Sequence, residues 1–417
     1  MKILGVADSD SYVKWGAATL ARAPKSWDSR LVIIDSPFVP TAAQRAAAVD
    51  GLMDSDPPVR SLAELAALVA EEQPDVVFLS LRGPLIRVVL RAVLEVSGRR
   101  PILVSGLPGI SIPATRKALT FRSQVDLILL HSKRELRDFP GVARKLGVEQ
   151  SFALATLPFF ATTHRTDQPR DEIVFAAQAK VPRLHSERTA IVGWLAECAA
   201  THPELRVVIK LRAVGSETQT HAEQYPYDQL LNELPSRPAN LVAESGSMGA
   251  HLERAVGLVT VSSTALLEAA ALGIPGIALD DFGVSPGLIN TVFEDSNLLG
   301  SSSELVAARF RRPDPGWLDD NYFHKPQDDD WLQKIEALIA EREVAALPLR
   351  RLRYGQSGGR LRHSWDRKRA LGSLDHSFAG YASLVIGYPT RAVIRSLRRG
   401  RGLYHALRRS AVASPTE

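Results

Sequence analysis

The sequence predicts an α/β protein of two similar domains facing a central cleft, followed by a basic helical extension. Three observations predict it. Short β-rich runs alternate with longer helical runs from the first residues to about residue 345, the rhythm of βαβ units on a parallel sheet. That rhythm stops at a polar, Pro-containing stretch, PFFATTHRTDQPRD (158–171), and restarts beyond it. The composition changes again at 348, where arginine dominates. The domains are therefore read as 1–160 and 161–347, with the extension at 348–417. A chain of 417 residues that is 45% hydrophobic has ample core for two such units.

The elements follow in order. KILGVA (2–7) is a short apolar run ending at the polar DSDSY, and reads as a strand; VKWGAATLARA reads as a helix after it. RLVIID (30–35) is a second buried strand. SLAELAALVAEEQ (61–73) has apolar residues at helical spacing, with Ser61 as N-cap. PDVVFLSL (74–81), RPILVSG and VDLILLHS (125–132) are strands, each followed by a glycine turn or a helical run. In the second unit EIVFAAQ, LRVVIKLR, NLVAES, VGLVTV and IPGIALDD are the strand-like runs, and RTAIVGWLAECAATH is its long helix. A helix closes the unit before 347. In open parallel sheets ligands bind beyond the carboxyl ends of the strands, so function is sought in the loops at those ends.

Charge is unevenly spread. The whole chain carries +5, but residues 350–417 hold 15 Lys/Arg against 3 Asp/Glu, leaving the first 349 residues at −7. A basic tail on an acidic body points to an anionic surface. The single cysteine, Cys198, excludes an intrachain disulfide, fits a reducing compartment, and sits in WLAECAA as a packing residue. MKILGVADSD offers only five apolar residues before Asp8, too few for a signal-peptide core, so the expected location is cytoplasmic. The longest apolar stretch, 256–279, contains Glu268, Gly273 and Pro275 and parses as strand, helix, strand rather than as a membrane span.

The stretch VSSTALLEAAALGIPG (261–276) carries the most chemistry. Ser262, Ser263 and Thr264 stand where a buried strand turns into a helix. Serine there caps orphan backbone N–H groups. The remaining N–H groups and the helix dipole suit a phosphate. Glu268, one turn on from Thr264 on the same side, can accept hydrogen bonds from a ribose or sugar diol. Gly273 and Pro275 end the helix. Plain capping and a solvated glutamate would explain the serines alone, but a lone acid in an otherwise uncharged helix needs a partner or a role.

SSTALLEAAALGIPGIALDD resembles the nucleotide-site motif of GT-B glycosyltransferases, whose two Rossmann-like domains face a cleft. More narrowly, ADSDSYVKW, SGLPGISIP, RSQVDLILLHSKRE, KLR with ETQTHAEQYPY, and DDFGVSPGLINTVFE resemble a bacterial family of glycosyltransferases without an assigned reaction. These pieces cover most of 1–345. The His-Pro motif of relatives that use CMP- or CDP-linked donors is missing; the corresponding place reads IKLRAVGSETQTHAE.

The resemblance assigns expectations to residues. Ser262, Ser263 and Thr264 would meet the donor phosphates and Glu268 the ribose. Lys210 and Arg212, at the end of LRVVIKLR, would neutralise the leaving diphosphate. Lys180 and Arg183 lie in the loop after the first strand of the second domain, and His221 in THAEQYPY lines the donor side. Asp8 and Asp10, after the first strand, are the candidate bases for the acceptor hydroxyl, with Lys14 and Gly109 on the acceptor side. Each has a plainer alternative: surface cations, helix caps, or loop glycine. Trp15 is a sugar-stacking or core residue. Arg122 and Asp126 are expected to pair with each other, and Asp280 and Asp281 to make loop or sugar contacts. The family resemblance implies no cofactor and no metal, and no His/Cys cluster has zinc spacing.

The expected function is transfer of a sugar from a nucleotide-sugar donor to a cell-envelope glycan or lipid-linked acceptor, at the cytoplasmic face of the membrane. Two alternatives stand beside it: a nucleotide-sugar 2-epimerase of the same fold, and a non-catalytic membrane-associated scaffold of glycan assembly. The tail, through SFAGYASLVIGYP (377–389) and the arginines after it, is expected to meet an anionic membrane surface rather than nucleic acid; the other reading is a solvated basic helix that packs on the body or on a partner.

Overall fold

Runs of β-branched and leucine residues without charge cannot be solvated on either face, so they assemble as central strands covered by helices on both sides. A computed structural model of the chain shows this twice; it describes residues 1–96, 98–158, 169–211, 223–349 and 359–391. The first sheet has seven parallel strands in the order β3-β2-β1-β4-β5-β6-β7. They are β1 (Lys2–Ala7), β2 (Asp28–Ile34), β3 (Val59–Arg60), β4 (Val76–Ser80), β5 (Ile102–Gly106), β6 (Leu127–Leu130) and β7 (Ser151–Leu154). The helices between them are α1 (Asp10–Leu20), α2 (Ala42–Val49), α3 (Leu62–Glu72), α4 (Gly83–Val96), α5 (Arg116–Arg122) and α6 (Lys133–Leu146). Ser61 caps α3 as expected, in a reciprocal capping box with Glu64.

The second sheet has six strands in the order β10-β9-β8-β11-β12-β13. They are β8 (Glu172–Ala176), β9 (Arg206–Lys210), β10 (Leu241–Glu244), β11 (Ala255–Thr260), β12 (Gly276–Leu279) and β13 (Leu299–Gly300). Around them lie α7 (His185–Thr201), α8 (Tyr227–Asn232), α9 (Met248–Arg254), α10 (Ala265–Ala271), α11 (Ser302–Val306) and α12 (Pro315–Asp320). The order reverses at β1/β4 in one sheet and at β8/β11 in the other, and at such a switch point adjacent loops diverge and leave a crevice. The two-domain α/β reading is therefore correct, and Cys198 is fully buried in the second core.

One assignment differs. α13 (Trp331–Val344), expected with the second domain, returns to the first: Trp331, Ile335 and Leu347 pack with Ile3, Val76 and Val104 under its sheet. Its N-terminal end is pinned there, where the backbone N–H of Leu154 donates to Asp330 and that of Thr156 to Asp329. The chain thus crosses between lobes twice. α14 (Gly359–Leu371) also docks on the first lobe, burying Ala370 and Leu371 against the α4 core. A last helix covers 378–391.

Candidate active site between the lobes

The carboxyl ends of the first sheet's inner strands are filled by internal partners. Asp8, directly after β1, is fully buried; its carboxylate accepts from Arg82 Nε at 2.6 Å and from the Arg82 backbone N–H at 3.2 Å. Burial pushes the Asp8 carboxyl above its ordinary range, and Arg82 opposes that rise. Sequence reasoning missed Arg82, although it stands at the end of β4, next to β1 in the sheet. Asp10 is exposed at the first turn of α1. Trp15 is core: it packs on Phe78, and its Nε1–H donates to His131 Nε2 at 2.8 Å. His131 Nδ1 lies 2.7 Å from the Ala155 carbonyl, so the ring donates at Nδ1 and accepts at Nε2; burial holds its pKa down at about 4.

Arg122 and Asp126 do not pair with each other. Arg122 donates to Ser105 Oγ and the Leu81 carbonyl, while Asp126 holds Arg100 in a two-pronged ion pair at 2.8 and 2.9 Å. The physical reason is that α5 ends at Arg122, so the helical spacing that would have joined the pair stops there. Asp281 accepts from the backbone N–H and hydroxyl of Ser302, and so holds the start of α11.

The SGLPGISIP loop joins the lobes. Ile112 is buried with Leu252, Ala265 and Leu266 of the second core. Gly109 is buried at φ +88°, and a Cβ there would sit 2.9 Å from Thr264 Cγ2. Only glycine combines that backbone with that approach. The Ser111 backbone N–H donates to Tyr322 Oη, and Tyr322 Oη–H to the buried Glu135 at 2.7 Å. Gly109 thus stands where the two lobes touch.

The second sheet's edge is arranged otherwise. Ser262 is buried, and its N–H and hydroxyl both donate to Gln178 Oε1 at 3.0 Å. In this structure it braces the β8 and β11 loops, a contact that gave no signal in sequence. Ser263 and Thr264 are half-buried. Ser263 Oγ accepts from the Ala265 N–H, which leaves its hydroxyl hydrogen to donate elsewhere. Glu268, half-buried on α10, accepts no hydrogen bond from the described residues. Burial raises its pKa, and the charge that opposes the rise is Lys14 of α1, from the other lobe. Sequence reasoning set these two on opposite substrates; in the structure the charge of one bears on the other.

Lys210, the last residue of β9, is buried, and its ammonium donates to the Leu211 carbonyl. Lys180 and Arg183 are exposed in the loop after β8, and burial together with the Arg183 charge lowers the Lys180 pKa. Arg212 and His221 lie outside the described residues.

Two parallel-sheet lobes, a C-terminal helix that returns to the first, and a polar strand-to-helix turn at their boundary make the GT-B arrangement. The sequence profile of the family described as "Putative glycosyltransferase (DUF6716)" matches residues 3–338. The chain belongs to that family. No curated protein sequence matches the chain. Among solved structures it is similar to Staphylococcus aureus MnaA bound to UDP, at 9% identity and TM-score 0.53, over 85% of this chain and 100% of the other. It is likewise similar to a Listeria monocytogenes protein described as a "putative UDP-N-acetylglucosamine 2-epimerase", at 10% identity and TM-score 0.52, over 85% and 99%. At these identities the likeness is one of fold. The lipopolysaccharide outer core galactosyltransferase WaaB aligns over 82% of this chain and 100% of its own, at 13% identity and TM-score 0.44.

Proposed function

We propose that this member of the family transfers a sugar from a nucleotide-sugar donor to a hydroxyl of a cell-envelope glycan or lipid-linked acceptor. The observation that carries the reading is Glu268: a carboxylate whose pKa burial raises, lacking a donor among the described residues, beside half-exposed Ser263 and Thr264, with the Lys14 charge of the first lobe opposing that rise. A nucleoside diphosphate supplies what this place lacks. Its ribose diol donates to Glu268, and its phosphates accept from the Ser263 hydroxyl. Lys180 and Arg183 add positive charge from the β8 loop, and Lys14 contributes from the first lobe. MnaA, of the same fold, is bound to UDP, which supports a nucleotide partner here.

In the reaction the acceptor oxygen attacks the anomeric carbon. The bond from that carbon to the diphosphate oxygen breaks, and the nucleotide leaves with the electron pair. The acceptor proton passes to a base. We assign that base to Asp10, which is exposed, and give Asp8 the task of holding Arg82 and the β1–β4 edge in place. Asp8 is fully buried with its carboxylate engaged by Arg82, so it is out of reach of an acceptor hydroxyl, and a base must come within hydrogen-bond reach of the proton it takes. The reaction as proposed needs no metal ion.

The test is incubation of the protein with UDP-, GDP-, CMP- and CDP-sugars and an envelope lipid extract, followed by chromatography of nucleotides and products. Free nucleotide released only when acceptor is present, and lost in Asp10→Asn, is the expected result. Conversion of UDP-N-acetylglucosamine to its C2 epimer without acceptor would instead make the chain an epimerase. No turnover and no nucleotide binding would leave it a scaffold.

A further inference from the structure

The last helix, 378–391, is amphipathic the wrong way round for a solvated element. Its inner face is made of small residues. Gly380 and Ser383 are buried, and a Cβ on Gly387 would lie 2.3 Å from the Trp365 ring of α14, so the helix lies flat on that ring. Its outer face carries the large apolar side chains: Phe378 is 88% exposed, Val385 75% and Tyr388 58%, with Tyr381 and Ile386 beside them. Positions 378, 381, 385 and 388 recur at helical spacing, so these residues form one stripe. Between Asp375 and Arg391 the sequence holds no Asp, Glu, Lys or Arg. Water opposes such a face, whereas the hydrocarbon boundary of a bilayer favours it.

We propose that this face docks on an anionic phospholipid surface, with the helix lying in the interface plane. The charges flanking the stripe are complementary to that occupant. Arg360 and Arg369 of α14 are exposed, and residues 391–417 hold seven arginines against one glutamate. A second copy of the chain carries the same excess of arginine, and like charge disfavours self-association. Tyr381 and Tyr388 belong to the stripe itself, and their amphipathic rings suit the headgroup level. Among the described residues no helix is long and apolar enough to cross a membrane, so the helix lies on the bilayer. The inference is independent of the transferase reading, because vesicle binding is read without substrate.

The experiment is flotation of the full-length protein with vesicles of phosphatidylcholine containing about 30 mol% phosphatidylglycerol, and with phosphatidylcholine alone. The comparison variant is Phe378→Ser/Val385→Asp. Both side chains point to solvent, and far-UV circular dichroism with the thermal midpoint verifies that it folds. The wild type is expected to float with anionic vesicles and not with neutral ones, and the variant to lose binding about tenfold or more. Three results would overturn the proposal. One is wild-type protein that stays at the bottom with both vesicles. Another is a variant that floats as well as wild type, which would reduce the contact to the basic tail alone. The third is a wild-type dimer, with no vesicle binding, that the variant converts to monomer.

Discussion

The two lobes share an architecture and differ at the edge each presents to the other. On the first, charged groups at the strand ends already have protein partners: Asp8 holds Arg82, Arg122 holds Ser105 and the Leu81 carbonyl, and Glu135 holds Ser111 and Tyr322. On the second, Glu268 accepts nothing from the described residues, Ser263 keeps a donor hydrogen, and Lys180 and Arg183 lie exposed together. Burying a polar group without a partner costs stability, so a fold tolerates it mainly where something else binds. The lesson is a difference in commitment: the first edge spends these charged groups on protein partners, while the second keeps Glu268 and the Ser263 hydroxyl hydrogen uncommitted among the described residues.

The comparison can be broken first at Asp8. Arg82→Ala leaves a fully buried carboxylate without its cation and should destabilise the first lobe by about 3 kcal/mol or more, read as a fall in its urea midpoint. A loss under about 0.5 kcal/mol, the size of an exposed ion pair, would show that the first edge is no more committed than the second. A smaller effect sharpens the boundary. Gly109→Ala must hold φ +88° and push on the Thr264 methyl, at a cost of about 1 kcal/mol. It should weaken nucleotide binding by shifting the α10 entrance, measurable by isothermal titration calorimetry; unchanged affinity would separate the loop from the site.

Much of the fold was legible because central parallel strands are long apolar runs with few rivals as an interpretation. The parts that were not legible are those without a pattern. Val59–Arg60 and Leu299–Gly300 are edge strands of two residues each, too short for any periodicity. The amphipathic pattern of α13 shows that one face is buried, but the lobe it is buried against depends on where the chain crosses. At the site, residue types at strand ends were legible and their partners were not. Asp8 and Arg82 are 74 positions apart, Ser262 and Gln178 are 84, and nothing local marks either pair. Arg122 and Asp126 mislead in the opposite sense, being close in sequence but separated by a helix end.

The central claim is that Glu268 waits for a nucleotide, and one substitution tests it. Burial raises the Glu268 pKa in the folded protein, so its favourable contribution is full below the ordinary glutamate range and lost as pH rises through the raised value. Glu268→Gln removes that loss and should be at least as stable as wild type at pH 8. Calorimetric titration at that pH with UDP, GDP, CMP and CDP should find one nucleotide that binds wild type. The variant should bind it about 10- to 100-fold more weakly, the worth of hydrogen bonds to a charged group. Equal affinity in a folded Glu268→Gln protein would contradict the account.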